Sequence, residues 1–132
     1  CYAASLGRVK LTDKQQVLLT KSLNRQWHPQ LVTQFGELES ESPEKQLMVA
    51  EKWLVQHGED ADLLLALGRI CQRLKFWGKA KDYFTTAVKL RPSVQGSIYL
   101  ASVLEKIGDS NASAEAYKQG LLAALEQEPL ND

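Results

Sequence analysis

The sequence predicts an all-α solenoid, built from successive pairs of antiparallel helices, on three observations. Apolar residues recur every three to four positions, which is the spacing of a single buried stripe on a helix. Short breaks separate these stretches, so each helix is expected to fold back on its neighbour. The same order of residues returns after 32 or 33 positions, as in Phe35-Gly36, Leu67-Gly68 and Leu100-Ala101. A repeated helix pair accounts for all three observations.

Residues 61–93 show the helix pair most clearly. Asp60 is a favourable N-cap for the first helix. A short break leads to a second helix, which Pro92 follows closely. Gly68 and Ala80 are small, which lets two helices joined by a short turn cross at close range. The two apolar stripes consist of Leu64, Leu67, Cys71 and Leu74, and of Ala80, Tyr83, Phe84, Ala87, Val88 and Leu90.

Residues 64–92, read as L-x2-L-G-x2-C followed by A-x3-F-x2-A-x4-P, resemble the tetratricopeptide repeat. That repeat often has tryptophan where this chain has Leu64, and a larger apolar residue where it has Cys71. Both replacements can still be buried. The resemblance implies that the units stack into a right-handed superhelix in which each pair buries its apolar stripe against the next.

The repeat spacing predicts a single tetratricopeptide domain over residues 1–132. A capping-box pattern, Thr12-x-x-Gln15, is expected to open the leading helix. In the degenerate repeat, Ser42 and Pro43 are expected to be the N-cap and first residue of a helix. The predicted parts are an upstream remnant and closing helix at 1–27, a degenerate repeat at 28–60, the clear repeat at 61–93, a third repeat at 94–127, and a polar tail at 128–132.

Three longer strings, "NRQWHPQLV", "QLMVAEKWLVQHGEDADLLLALGRI" and "FWGKAKDYF", resemble the C-terminal region of the HemY family over residues 15–125. This resemblance implies a bacterial inner-membrane protein associated with the late steps of haem (protoporphyrin) biosynthesis. It also implies an upstream membrane anchor, a soluble cytoplasmic domain for this part of the chain, and haem-biosynthesis enzymes as partners. It carries over no catalytic residue.

The composition argues against several other partners. Sixteen basic residues balance sixteen acidic ones, so no net field favours nucleic acid or an anionic membrane surface. Apolar runs are only a few residues long, so we expect membrane attachment only through a segment outside this chain. The first residue, Cys1, fits an arbitrary truncation better than a lipidated start, but a tetratricopeptide domain of a bacterial lipoprotein assembly factor stays open as an alternative.

The sequence offers no enzyme chemistry. The glycines form no G-x-G-x-x-G pattern, which excludes the unrelated flavin-dependent oxidase that shares the HemY name. His28 and His57 fall at helix ends, where the helix dipole favours a histidine in a last turn, so we interpret both as structural. Cys71 lies at a core position of the repeat and is interpreted as a small buried hydrophobe. We therefore predict no catalytic residue, no cofactor and no metal.

The candidate binding surface is the groove that the first helices of successive repeats line together. The unit at 61–93 holds seven basic residues and two acidic ones, and Arg69 and Arg73 would face an acidic segment of a partner. The function predicted is thus a non-catalytic protein-protein interaction scaffold. An alternative is direct tetrapyrrole binding, with the two arginines on the propionates and Leu65 and Ile98 covering the ring. The predicted groove residues are Asp62, Leu65, Arg69, Gln72, Arg73, Gln95, Ile98, Ser102, Glu105 and Lys106.

Overall fold

A computed structural model describes residues 2–127, with side chains described for residues 13–126. Within that part of the chain there are seven helices and no strand. The polar tail predicted at 128–132 and the question raised by Cys1 lie outside the described residues. The helices are α1 (Tyr2–Arg25), α2 (Pro29–Glu37), α3 (Pro43–His57), α4 (Ala61–Arg73), α5 (Trp77–Leu90), α6 (Val94–Ile107) and α7 (Ser110–Gln127).

Capping residues determine where several of these helices begin and end. The Asp60 carboxylate accepts hydrogen bonds from the backbone N–H groups of Asp62 and Leu63 and so caps α4, as predicted. Ser93 caps α6 by accepting from the N–H of Gly96. Gly108 ends α6 in the left-handed region, with φ of 94°, where a side chain would be strained.

The predicted start of the first helix is wrong. Thr12 lies inside α1, which continues from Tyr2 to Arg25 without a break. A capping box needs a chain that enters the helix from an extended residue, and no proline or glycine between Leu11 and Gln16 interrupts the helical backbone. Residues 2–10 are therefore part of this helix and not a fragment of a separate element.

Helix α4 is the centre of the fold and touches its neighbours almost backbone to backbone. A Cβ atom on Gly36 of α2 would be 2.6 Å from the Cβ of Ala66 in α4. A Cβ atom on Gly68 would overlap the ring of Phe84 in α5, with Cδ1 2.6 Å away. Phe84 and Ala80 are fully buried at this crossing, which is the close approach that the small residues predict.

An aromatic cluster joins the end of α1 to α2 and α3. Trp27 stacks on His57 with ring centroids 3.8 Å apart, and Trp53 meets both Trp27 and Phe35 edge to face. The indole N–H of Trp53 donates to Asn24. His57 thus has the structural role expected of a last-turn residue. His28 does not share it, because it is the exposed N-cap residue of α2.

A cluster of polar side chains, which we call the clamp, links α3 to α5. The Glu51 carboxylate accepts hydrogen bonds from Lys79, at 2.8 Å, and from the Tyr83 hydroxyl, at 2.6 Å. Burial alone would raise the pKa of Glu51, but these two donors outweigh it and leave that pKa lowered. The clamp therefore ties α3 to α5.

None of the helices in the described residues combines the length and the apolar character needed to cross a bilayer.

We predict that Gly68→Ala lowers the free energy of unfolding by about 1–3 kcal/mol, because the new methyl group must displace the Phe84 ring. Gly78→Ala is the matched control, since a Cβ on Gly78 of α5 meets no atom within 4 Å. It should be neutral or stabilise by up to about 1 kcal/mol. Urea unfolding followed by circular dichroism measures both. Equal effects of the two substitutions would contradict the close crossing.

Cys71 should react slowly with thiol reagents in the folded protein. It is fully buried in α4, and burial raises the pKa of its thiol from 9.0 to about 11. At pH 8 the thiolate fraction is then about one hundredth of that in the unfolded chain, where the pKa is ordinary. Labelling kinetics of a Cys1→Ser variant, with and without urea, test this. Native labelling at the unfolded rate would show that the thiol is accessible.

Candidate functional site

A continuous trough crosses α1 and then α2, α4 and α6, which are the first helices of successive pairs. Its wide part, about 430 Å³, lies between α1 and α2, and its narrow part, about 60 Å³, lies between α2, α4 and α6. Thr33 and Glu37 of α2 line both parts. The two clefts therefore form one surface, which we call the trough.

The wide part supplies the apolar foothold of the trough. It is lined by Gln15, Leu18 and Leu19 of α1 and by Thr33, Gln34, Glu37 and Leu38 of α2. Leu18 has 63% of its surface exposed although it is a large apolar residue of a helix. Exposed leucine beside a concave cleft is typical of a surface that another molecule covers.

The narrow part carries the charged side chains of the trough, although its exposed lining is mostly apolar. It is lined by Thr33 and Glu37 of α2, by Asp62, Leu65, Ala66 and Arg69 of α4, and by Gln95 and Tyr99 of α6. Asp62 is held by Arg91, which donates to both carboxylate oxygens at 2.7 and 3.2 Å. The carboxylate at this end of the trough is thus already neutralised by the chain itself.

Arg69 sits at the centre of the trough between two neighbours. Its guanidinium lies 4.4 Å from the centroid of the Tyr99 ring, which places a cation over an aromatic face. On the other side its Nε and Nη2 atoms are each 3.4 Å from the carboxylate of Glu37. These contacts are long, and the two side chains are 31% and 49% exposed, so the ion pair is weak and water can replace it.

Arg73 does not face the trough but hydrogen-bonds to the end of α2. Its Nη2 donates to the backbone carbonyl of Gly36 at 2.5 Å, in the last turn of α2. The fully buried Gln46 donates to the carbonyls of Phe35 and Leu38 next to it. Together the two side chains donate to backbone carbonyls at the end of α2, of which that of Phe35 also accepts from the Leu38 N–H. Burial lowers the pKa of Arg73, and the nearby charge of Arg69 lowers it further.

The structure brings only some of the predicted groove residues together. Asp62, Leu65, Arg69 and Gln95 meet in the narrow part of the trough. Gln72 accepts a hydrogen bond from Arg69 at its edge, and Arg73 turns toward α2. Ile98 is exposed and Ser102 half-buried further along α6. Glu105 accepts hydrogen bonds from Tyr117 and Ser113 of α7, and Lys106 lies 6.0 Å from the Trp77 ring of α5.

Sequence reasoning missed the contributions of α1 and α2 to the trough. Thr33 and Glu37 precede Leu65 and Arg69 by 32 positions, the same offset that relates the two repeats, so the repeat spacing could have identified them. Tyr99 had no such signal, because it occupies the position of the small Ala66 in the preceding unit. Leu18 and Leu19 of α1 were not among the predicted groove residues, and the packing of α1 on α2 shows that Leu18 is exposed beside the cleft.

Solved structures define the class of this fold. The chain superimposes on two MamA structures, MSR-1 with a TM-score of 0.69 and 17% identity, and AMB-1 with a TM-score of 0.65 and 18% identity. The first comparison covers 89% of this chain and 70% of that of MamA, and the second covers 87% and 64%. The predicted fold class is confirmed: the chain is an all-α solenoid of tetratricopeptide type.

The resemblance to HemY is also confirmed. The chain is 25% identical over 117 residues, or 89% of its length, to Protein HemY of Escherichia coli K12 and of Escherichia coli O157:H7, and likewise to that of Shigella flexneri. It spans 29% of the length of these relatives. No family model matches the chain.

We predict that Arg73→Met destabilises the protein by about 1–3 kcal/mol, because it leaves the carbonyl of Gly36 without its donor in a partly buried place. Arg69→Met is the matched control. It removes an exposed ion pair and a cation-aromatic contact, which together contribute about 1 kcal/mol or less. Urea unfolding compares the two variants. A larger loss for Arg69→Met would contradict the capping role of Arg73.

Proposed function

We propose that this chain is a non-catalytic scaffold whose trough holds a segment of another protein. The observation that carries the proposal is the continuity of the trough from α1 to α6, with Thr33 and Glu37 common to its two parts. A shape of this kind, long and open, suits an extended or helical peptide. The likeness to solved tetratricopeptide solenoids supports a binding role over catalysis.

The trough suggests how the segment is held. Apolar side chains of the partner pack over Leu18, Leu19 and Leu38 at the wide end. An acidic group of the partner then reaches Arg69 and replaces Glu37, whose contacts with the guanidinium are long. The predicted acidic partner is therefore retained, but Arg69 and not Arg73 supplies the charge, because Arg73 is used to cap α2.

The similarity to HemY supports a biological setting. We propose that the chain is the soluble part of a HemY-like protein of the bacterial inner membrane, that an upstream segment anchors it, and that it faces the cytoplasm. Its partners are then enzymes of the late steps of haem biosynthesis. Because the chain spans only 29% of the HemY relatives, these statements concern the longer protein and rest on the resemblance.

Direct tetrapyrrole binding is less well supported by the geometry. The arginine and the leucine invoked for it, Arg69 and Leu65, line the part of the trough that is only about 60 Å³ in volume. A porphyrin macrocycle does not fit into such a space, and small-molecule pockets are usually several times larger. The second arginine points away from the trough toward Gly36.

A substitution that places a large side chain in the trough tests the proposal. We expect Thr33→Trp to weaken binding to a purified late haem-biosynthesis enzyme at least tenfold, a change of about 1.4 kcal/mol, because an indole at Thr33 obstructs both parts of the trough. Val55→Trp is the control, since Val55 of α3 is 89% exposed and lies outside the trough. Biolayer interferometry against each such enzyme measures the affinities.

Two results would contradict the proposal. Either none of the enzymes binds the chain, or the Thr33→Trp variant binds as well as the unmodified protein. The same two variants, titrated with protoporphyrin, address the alternative. A saturable change in the porphyrin absorption band that Thr33→Trp abolishes would favour direct tetrapyrrole binding over a protein segment.

A further inference from the structure

A second cleft lies on the seam between α1 and α2, next to the turn that joins these helices. Its volume is about 290 Å³, and no acidic residue is among those that line it. One lining residue, Leu31, is apolar and half-buried, and the other four are polar and exposed. The polar ones are Ser22, Arg25 and Gln26 of α1 and His28, the N-cap residue of α2. We call this surface the turn cleft.

The packing of the chain does not account for the polar side chains of the turn cleft. Three of them belong to the stretch "NRQWHPQLV", in which Asn24 and Trp27 are held by contacts with α3. By contrast, Arg25, Gln26 and His28 form no side-chain hydrogen bond or ion pair with another described residue. A ligand can therefore gain hydrogen bonds from these donors without breaking any that the fold needs.

The charge around the turn cleft is positive. Residues 14–36 contain three basic residues and no acidic one. The carboxylate of Asp60, which contacts Trp27 beside the cleft, already accepts from the indole N–H and from two backbone N–H groups of α4. An arginine that no carboxylate of its own cleft engages favours an anionic group of a ligand, which it can bind through two parallel hydrogen bonds.

The turn cleft continues the wide part of the trough along one face of α1. Leu18 lines the wide part, and Ser22 and Arg25 of the turn cleft follow it by four and seven residues, on the same side of the helix. On α2, Leu31 of the turn cleft and Gln34 of the wide part are three residues apart. A segment that follows this seam out of the wide part therefore reaches the turn cleft without crossing a helix.

The seam also sets the distance between two cationic groups. Glu37, which contacts Arg69, lies nine positions after His28 on α2. Nine residues of helix are about 14 Å long. A bound segment covers that distance with about four residues if it is extended, or with about nine if it is helical.

We propose that the turn cleft binds a second acidic group of the partner, so that the segment recognised is an apolar stretch with a carboxylate on either side. This inference rests on the proposed function and specifies the chemistry of the partner. Arg69 binds one carboxylate, and Arg25 binds the other, with Gln26 and His28 as further donors. The requirement for two acidic groups at a fixed distance discriminates against apolar segments that lack one of them.

Selection of displayed random peptides on the immobilised chain tests the proposal. Peptides of about twelve residues are long enough to span the seam as a strand or as a helix. We expect the enriched sequences to carry Asp or Glu on both sides of an apolar stretch. Arg25→Glu should weaken binding of such a peptide about fivefold or more at low salt, because it places a carboxylate opposite that of the peptide.

Lys52→Glu is the matched control. It makes the same change of charge at an exposed position of α3 outside the trough and the turn cleft, and it should alter the affinity less than about twofold. Replacing one of the two peptide acids by lysine should make the peptide bind the Arg25→Glu variant better than the unmodified chain. Circular dichroism verifies that both variants fold.

The Thr33→Trp variant separates this inference from the proposed function. Suppose that Thr33→Trp abolishes peptide binding, but the peptides carry a single acid, or Arg25→Glu binds them as well as the unmodified chain, or neither acid shows the exchange with lysine. Each of these results would overturn the second acidic site and leave the trough as a binding surface. If no peptide binds in a way that Thr33→Trp abolishes, both proposals are wrong.

Discussion

The close approach of α4 to its two neighbours is the constraint on which the rest of the structure depends. Gly36 brings the backbone of α2 against Ala66, and Gly68 admits the ring of Phe84 from α5. Any larger side chain at these positions would push the helices apart. Because α2 lies so close to α4, Glu37 and Arg69 face the same space, and α6 completes the narrow part of the trough with Gln95 and Tyr99.

Most of the charged side chains described above form contacts that stabilise the fold, and few are left to bind a partner in the trough. Arg73 caps α2, Arg91 neutralises Asp62, and Lys79 joins Tyr83 on Glu51. Arg69 is the exception, because its contacts with Glu37 are long and exposed. Of these four cations, Arg69 is therefore the one that stays exchangeable, although the net charge of the chain is balanced. Such an arrangement favours a ligand that brings its own acidic group to one place.

Several features of the fold could be predicted because they are local. The helix pair at 61–93, the cap at Asp60 and the small residues at the crossing all follow from spacing within a few turns. The division of the chain into repeat units stays a prediction. The trough could be predicted only in part, since four of its residues were named in advance and the contribution of α1 was not. The predicted start of α1 was wrong, because a capping pattern does not begin a helix where the preceding residues can also be helical.

The sequence by itself determined that the chain forms paired helices with a repeat of 32 to 33 residues, because periodicity and small residues act over distances of a few residues. Tertiary structure alone decided which arginine is free to bind a partner. Arg73 is not, because it donates to the carbonyl of Gly36, which lies 37 positions away in the sequence. It likewise decided that Glu105 turns to α7 and that the leucines of α7 are exposed. The physical reason is that hydrogen bonds and burial depend on how whole helices stack, which no short stretch of sequence specifies.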